Sequence, residues 1–224
     1  MRFVARLLAV AIVVVLLPIV GGNLASARVG VLGGVSLGVL GLLWVWLWLP
    51  RSAHDAFEAG KYAAAQRRYR LIGLLAPSAL RERSALLSRA GCFVAAGHVD
   101  RAEQLLATLD KAQLAAAERA VWLNNRACAE LAAGRDPQAA LALVDEATAL
   151  RPDVPAVQHT RGMALLAVGR IDDAIAVLDG MRAAGELPAR LEAERCRDLA
   201  KAWSQKGETA YAEDYRLRAD ALAR

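Results

Sequence analysis

The first 54 residues of the sequence contain no acidic side chain, and the only charges before residue 51 are Arg2, Arg6 and Arg28. This leaves two uncharged stretches, residues 7–27 and 29–50. At about 1.5 Å per residue, each is long enough to cross a hydrocarbon core roughly 30 Å thick. All 23 acidic residues lie downstream. The sequence therefore predicts a two-helix transmembrane anchor over residues 1–50 and a water-soluble domain over residues 51–224.

Cysteine and histidine are scarce, with three of each, and neither is spaced in a way that would hold a metal. The residues concerned are Cys92, Cys128, Cys196, His54, His98 and His159. The cysteines are expected to be buried small side chains, and the isolated histidines to be surface or capping residues. Phosphate-binding, dinucleotide-binding and zinc-protease motifs do not occur. The sequence therefore predicts a non-enzymatic protein with no metal site and no cofactor.

The net charge of +5 is unevenly distributed along the chain. Residues 51–101 carry nine basic and four acidic side chains, whereas residues 102–224 carry 16 basic and 19 acidic ones. The basic excess thus lies beside the membrane segment, where anionic lipid headgroups attract it. No basic motif interleaved with aromatic residues accompanies it, so the prediction is a lipid contact and no nucleic-acid partner.

The basic residues also predict the topology. They flank the two apolar stretches at positions Arg2, Arg6, Arg51, Lys61, Arg67, Arg68 and Arg70, whereas the loop between the stretches has only Arg28. By the positive-inside rule, a helical hairpin would have both ends in the cytoplasm. With 24 Arg against four Lys, the composition is typical of a GC-rich bacterial genome, which favours the inner membrane. Alternatively, Ala25-Ser26-Ala27 could end a cleaved signal peptide, and the downstream domain would still be cytoplasmic.

Gly30, Gly34 and Gly38 recur every four residues in the second apolar stretch. Glycines at this spacing allow a second membrane helix to approach closely, so a homo-oligomer through this face is one expectation. Gly34 to Gly38 also match the G-x-S-x-G nucleophile pattern, but no acid precedes Asp55 to complete a catalytic triad. Three tryptophans end the stretch at the headgroup level, and Pro50 is expected to separate it from the next helix.

Residues 122–152 read as two amphipathic helices broken at Gly134. On the first, Leu123, Ala127 and Leu131 recur at four-residue intervals on one face. The second has Ala140 where the two helices should cross, and Pro152 should end it by Leu150 or Arg151. Copies of this unit occur along the chain, each with a glycine at its turn. These glycines are Gly60, Gly97, Gly134, Gly169 and Gly207.

This unit resembles the tetratricopeptide repeat (TPR), a helix–turn–helix of about 34 residues. The resemblance covers about residues 52–224 and implies an all-α solenoid of about five helix pairs. It also implies a protein or peptide partner in a groove formed by the first helices. By register, that groove should include Asn124, Asn125, His159, Arg197 and Lys201. Because Arg197 and Lys201 are one helical turn apart, an acidic segment is the expected ligand.

Two functions agree with this pattern. The first is a membrane-anchored scaffold that binds a protein partner at the cytoplasmic face of the membrane. The alternative is an accessory subunit of a membrane enzyme or transporter, held mainly by the glycine-rich hairpin.

Overall fold

The computed structural model describes residues 33–36, 38–41, 43–183 and 185–222, and this part of the chain contains helices and no strand. The α-helices after Trp48 are α1 (Leu49–Glu58), α2 (Tyr62–Leu74), α3 (Ala79–Ala95), α4 (Val99–Ala107), α5 (Ala116–Ala132), α6 (Pro137–Leu150), α7 (Pro155–Ala167), α8 (Ile171–Ala183), α9 (Ala189–Gln205) and α10 (Thr209–Leu222). Each odd-numbered helix packs on the even-numbered helix that follows it. The odd helices α3, α5, α7 and α9 also pack on one another in order. The predicted all-α array of five helix pairs is confirmed.

The turn inside each helix pair is closed by a glycine in the left-handed region. The φ angles are 68° at Gly60, 76° at Gly97, 62° at Gly134, 80° at Gly169 and 81° at Gly207. In the third pair, the N–H of Gly134 donates to Leu131 O and the N–H of Arg135 donates to Glu130 O, both at 3.1 Å. This pattern satisfies carbonyls at the end of α5, and a side chain would strain the conformation it needs.

The core is built from the small and branched residues on the facing sides of each pair. Leu123, Ala127, Ala140 and Val144 are all fully buried. Leu123, Ala127 and Val144 belong to one apolar cluster that runs through the third, fourth and fifth pairs. Helix α6 ends at Leu150, one residue before its C-cap Arg151, as the proline at 152 predicts.

The N-terminal helix, Gly33–Glu58, runs without a break into the first repeat pair. It is 26 residues long, and α1 is its last part. The expectation that Pro50 separates the apolar stretch from the first helix of the array is therefore wrong. A π-helical turn over Trp44–Trp48 directly precedes Leu49 and Pro50. Such a wider turn is one way to accommodate a proline within a continuing helix, because proline provides no N–H for the ladder.

Among the described residues, Gly33–Glu58 is the one helix long and apolar enough to cross a membrane. Its apolar window is 7% buried within the structure, unlike the core helix of a soluble protein. The first apolar stretch and Gly30 lie outside the described residues, so the first helix of the expected hairpin stays a prediction.

Candidate functional site

The five residues predicted to line one groove lie in three different environments. Asn125 is buried and donates from its side-chain amide to Leu87 O at 2.9 Å, which fastens α5 to α3. Asn124 is half-buried, with its amide nitrogen 3.9 Å from Cys128 Sγ. Asn125 therefore acts in packing between adjacent repeats, and its amide is already occupied.

His159 is buried between two neighbouring pairs. Its Nε2 lies 2.9 Å from Oδ2 of Asp198 on α9, and its side chain is 8% exposed. The following repeat thus covers the ring. This contact joins α7 to α9 and leaves little of the imidazole for a partner.

Arg197 and Lys201 are exposed and lie together in a cleft between α9 and α10. The cleft has a volume of about 360 Å³ and its lining residues are Arg197, Ala200, Lys201, Ser204, Ala212, Arg216, Ala219 and Asp220. Three of these eight side chains are cationic and one is acidic. We call this surface the end cleft. Its alanine floor and cationic walls suit an acidic, partly apolar ligand.

The end cleft occupies the face on which the next helix would pack if the array continued. Gly169 and Gly207 are 38 residues apart, so Arg197 corresponds to His159 and Lys201 to Met163. In the fourth pair this face is covered by α9, as the contact between His159 and Asp198 shows. The described residues place no further helix on the matching face of the fifth pair, so Arg197 and Lys201 are exposed there. The register therefore predicted a real pair of neighbouring cations, but these line the end cleft and not a groove shared with Asn124, Asn125 and His159.

The structure also brings together residues that the sequence analysis did not single out. Arg190, at the start of α9, contacts Glu58 at the end of α1, with 3.5 Å between Nε and Oε2. Its guanidinium lies 4.6 Å from the ring centre of Phe57 and bonds Glu194 at 2.7 Å. This contact links the first and fifth pairs across 132 residues, and no local sequence signal indicates it.

The three cysteines are unpaired thiols in unreactive surroundings. Cys92 and Cys196 are buried and Cys128 is partly buried. Burial raises the pKa of Cys92 to about 11 and raises the pKa of Cys128 and of Cys196 as well. A thiol that stays protonated is a poor nucleophile and a poor metal ligand. The described residues also contain no cluster of His, Cys, Asp and Glu that could hold a metal ion.

The acidic pair at the start of α8 is occupied by cations. Asp172 forms an ion pair with Lys206 of the next repeat. Asp173 Oδ2 lies 2.7 Å from Arg170 Nε. Both carboxylates lie in the first turn of the helix, where negative charge stabilises the helix dipole.

Several solved structures resemble the chain. A MamA crystal structure is 18% identical and has a TM-score of 0.45, with 76% of this chain and 93% of that chain covered. MamA AMB-1 is 21% identical and has a TM-score of 0.46, with 79% of this chain and 98% of that chain covered. The TPR-like repeats of a Podosopora anserina protein described as a putative kinesin light chain are 19% identical and have a TM-score of 0.49. This match covers 78% of this chain and 92% of that chain. Likenesses at this level say nothing about the function of the chain, and no curated protein matches it.

Residues 131–193 match the sequence profile of a tetratricopeptide repeat. The matched stretch contains the turn glycines Gly134 and Gly169 and the whole of α6, α7 and α8. The other pairs repeat the same glycine-closed turn before and after it. Stacked repeats of this kind create extended surfaces for binding other proteins, so the array has the architecture of a protein-interaction scaffold. Residues 131–193 are therefore identified as tetratricopeptide repeats.

Proposed function

We propose that the chain is a membrane-anchored scaffold that binds a protein partner at the cytoplasmic face of a bacterial inner membrane. The observation that carries the proposal is the N-terminal helix, which is apolar and largely exposed before Leu49 and part of the repeat array from Leu49 onward. Val35, Val39, Leu40 and Leu43 are exposed, whereas Leu49 and Ala53 are fully buried.

A lipid bilayer is the environment that suits the exposed part of this helix. A soluble protein rarely leaves a continuous apolar surface of this kind in water. From Leu49 onward, the same helix carries polar residues and packs in the array. This would place the first repeat directly against the headgroups. Because the helix continues through Pro50, the array would be held rigidly at the membrane and not on a flexible linker.

The end cleft supports the partner-binding half of the proposal. Arg197 and Lys201 project from one face of α9, and Arg216 approaches from α10. An acidic helix or extended segment of a partner would neutralise these charges and cover the alanines between them. Charge-assisted hydrogen bonds from Arg to carboxylates are stronger than neutral ones, which favours such a ligand.

The topology is tested with a reporter fused after Arg224. We expect an alkaline phosphatase fusion to be inactive and a fluorescent protein fusion to be bright, because the basic residues after Pro50 keep the repeats in the cytoplasm. In the matched control, the reporters are fused after Arg28, which lies on the other side of the proposed membrane-spanning helix. An active phosphatase at the C-terminus would contradict the proposed location.

Partner binding is tested by the double substitution Arg197→Glu and Lys201→Glu. We expect it to weaken partner capture from gently solubilised membranes by about 1–3 kcal/mol, since charge-assisted bonds are lost. Stability should change by less than about 0.5 kcal/mol, because both side chains are exposed. Quantitative affinity capture and thermal unfolding of the full chain measure the two effects.

The control is Arg101→Glu with Arg218→Glu, which changes the net charge equally but alters no residue of the end cleft. Equal loss of capture from both double variants would indicate a diffuse charge effect and contradict a role for the cleft. Arg216 is unsuitable as a control because it lines the cleft itself.

The alternative, an accessory subunit held through its membrane helix, is favoured by the open glycine face. A Cβ added at Gly38 would meet no atom within 4 Å, so a partner helix has room to approach. Gly34→Leu would then abolish partner capture while the end-cleft variant would not. The opposite result favours the scaffold.

A further inference from the structure

We propose that the corner between α2 and α3, residues 74–81, is a second membrane contact that lies in the headgroup layer of an anionic lipid surface. This inference rests on the proposed anchoring of the N-terminal helix. We call this segment the α2–α3 corner. Its sequence is Leu-Leu-Ala-Pro-Ser-Ala-Leu-Arg, and residues 71–80 contain no charge.

The position of the α2–α3 corner along the axis of the N-terminal helix follows from helix geometry. Helix α2 runs antiparallel to α1, and its 13 residues rise about 18 Å from Tyr62 to Leu74. The same distance measured back from Glu58 along the N-terminal helix reaches Trp46. Leu74 is therefore level with Trp46, at the point where the N-terminal helix would leave the bilayer.

A direct contact fixes the corner at this height. The Arg81 guanidinium lies over the Trp46 ring, 4.1 Å from its centre. Arg81 is in the first turn of α3, beside Leu80. Tryptophan is favoured at the headgroup level of membranes, where its ring is apolar and its N–H is polar. A corner that touches Trp46 is then within one side-chain length of the same layer.

The composition of this corner differs from that of the other connections between repeats. The three later connections contain Asp110 and Lys111, Arg151 and Asp153, and Glu186, respectively. The first connection, which is the one beside the N-terminal helix, has none. Leu74 and Leu80 flank it, and each is 53% exposed. Exposed leucines beside an uncharged loop are costly in water but favourable in the lipid interface.

Basic residues lie about one helical turn above the corner, where lipid phosphates would be. Arg70 precedes Leu74 by four residues on the same face of α2, and Arg51 follows Trp46 by five residues. At about 1.5 Å per residue, both are roughly 6–8 Å further from the bilayer centre than the corner. Both are exposed. Leucines below and arginines above match the apolar and anionic levels of a lipid surface.

The test uses single labels on the full chain reconstituted in vesicles of phosphatidylcholine and phosphatidylglycerol. An environment-sensitive fluorophore is attached to Leu80→Cys in the corner, Leu40→Cys in the N-terminal helix, or Leu217→Cys on α10. Leu40 and Leu217 are both 60% exposed, so the label positions are comparable. The native thiols should react slowly near neutral pH, because burial raises the pKa of each.

We expect the label at position 80 to be quenched by nitroxide lipids that carry the spin label near the headgroup. Its emission should also be shifted to the blue relative to position 217. The label at position 40 should be quenched by nitroxides deep in the acyl chains. The label at position 217 should respond to neither.

The outcomes separate this inference from the proposed anchoring. If position 40 is quenched but position 80 behaves like position 217, the α2–α3 corner does not contact lipid and the inference is wrong. If position 40 is not quenched, the anchoring itself fails. Helical circular dichroism of each labelled variant confirms that the array is folded.

Discussion

Replacing Arg195 with methionine should destabilise the repeat array more than any surface substitution. The Arg195 side chain is 1% exposed, and its Nε and Nη2 each donate to the Glu192 carboxylate at 2.7 Å. Its Nη1 donates to Leu178 O at 3.2 Å, which joins α9 to the fourth pair. Removing one partner of a buried ion pair leaves the other charge uncompensated and costs about 3–5 kcal/mol.

The pKa values of Arg195 and Glu192 also indicate that this ion pair is stabilising. Burial alone would lower the pKa of Arg195, but the hydrogen bonds and charge of Glu192 outweigh it and the pKa lies above its usual value. Hydrogen bonds from Arg195 are the main cause of a lowered pKa at Glu192. Each partner therefore favours the charged form of the other. Because the Glu192 side chain is 19% exposed, water would screen part of the lost interaction, and the lower end of the range is expected.

The measurement is urea unfolding of the full chain in mild detergent, followed by helical circular dichroism. Arg195→Lys keeps the charge but not the bidentate geometry. Its free energy of unfolding should therefore lie between those of the methionine variant and the natural protein. Adding Glu192→Gln to Arg195→Met should restore part of the loss, because the unpaired charge is then gone. A methionine variant as stable as the natural protein would show that the pair contributes nothing.

Arg195 also illustrates what the sequence could not predict. The turn glycines and the small residues of the core were predictable, since both are local requirements of a helix pair. A long cation within an amphipathic helix is usually solvated, and only the packing of α8 against α9 shows that this one is buried. The contact between Arg190 and Glu58 is equally invisible, because it depends on how five pairs curve together.

The predicted groove shows a different limit. Register correctly placed Arg197 on the same helical position as His159, but register does not reveal whether another helix follows. In the fourth pair a following helix buries that position, and in the fifth pair the position lines the end cleft. Asn125 bonds Leu87 O of the preceding repeat, because this face of α5 packs against α3.

Pro50 shows how a reliable local rule can be overridden. Proline lacks an N–H and normally ends or kinks a helix, so the sequence predicts a boundary there. The π-helical turn before it accommodates the residue, and burial of Leu49 and Ala53 holds the helix in the array. This continuity gives the proposed anchor a rigid link to the repeats.

The second large effect is expected at Gly162, in the middle of α7. A Cβ built on Gly162 would lie 2.6 Å from Cδ2 and 2.7 Å from Cγ of Leu178 on α8. Leu178 is fully buried in the main apolar cluster, so it has little room to move. Overpacking of a core typically costs about 1–3 kcal/mol. Gly162→Ala would regain about 1 kcal/mol of helix propensity, so the array should show a net loss of stability of up to about 2 kcal/mol.

Gly180 provides the matched control for this substitution. It lies in α8, and a Cβ added there would meet no atom within 4 Å. Gly180→Ala should therefore gain up to about 1 kcal/mol from helix propensity alone, opposite in sign to Gly162→Ala. Urea unfolding of both variants compares the two directly. If both glycine substitutions stabilise the array, α7 and α8 do not approach as closely as the structure shows. A loss at Gly162 alone would identify it as the residue that sets the separation of these two helices, and with it the position of α9 and the end cleft.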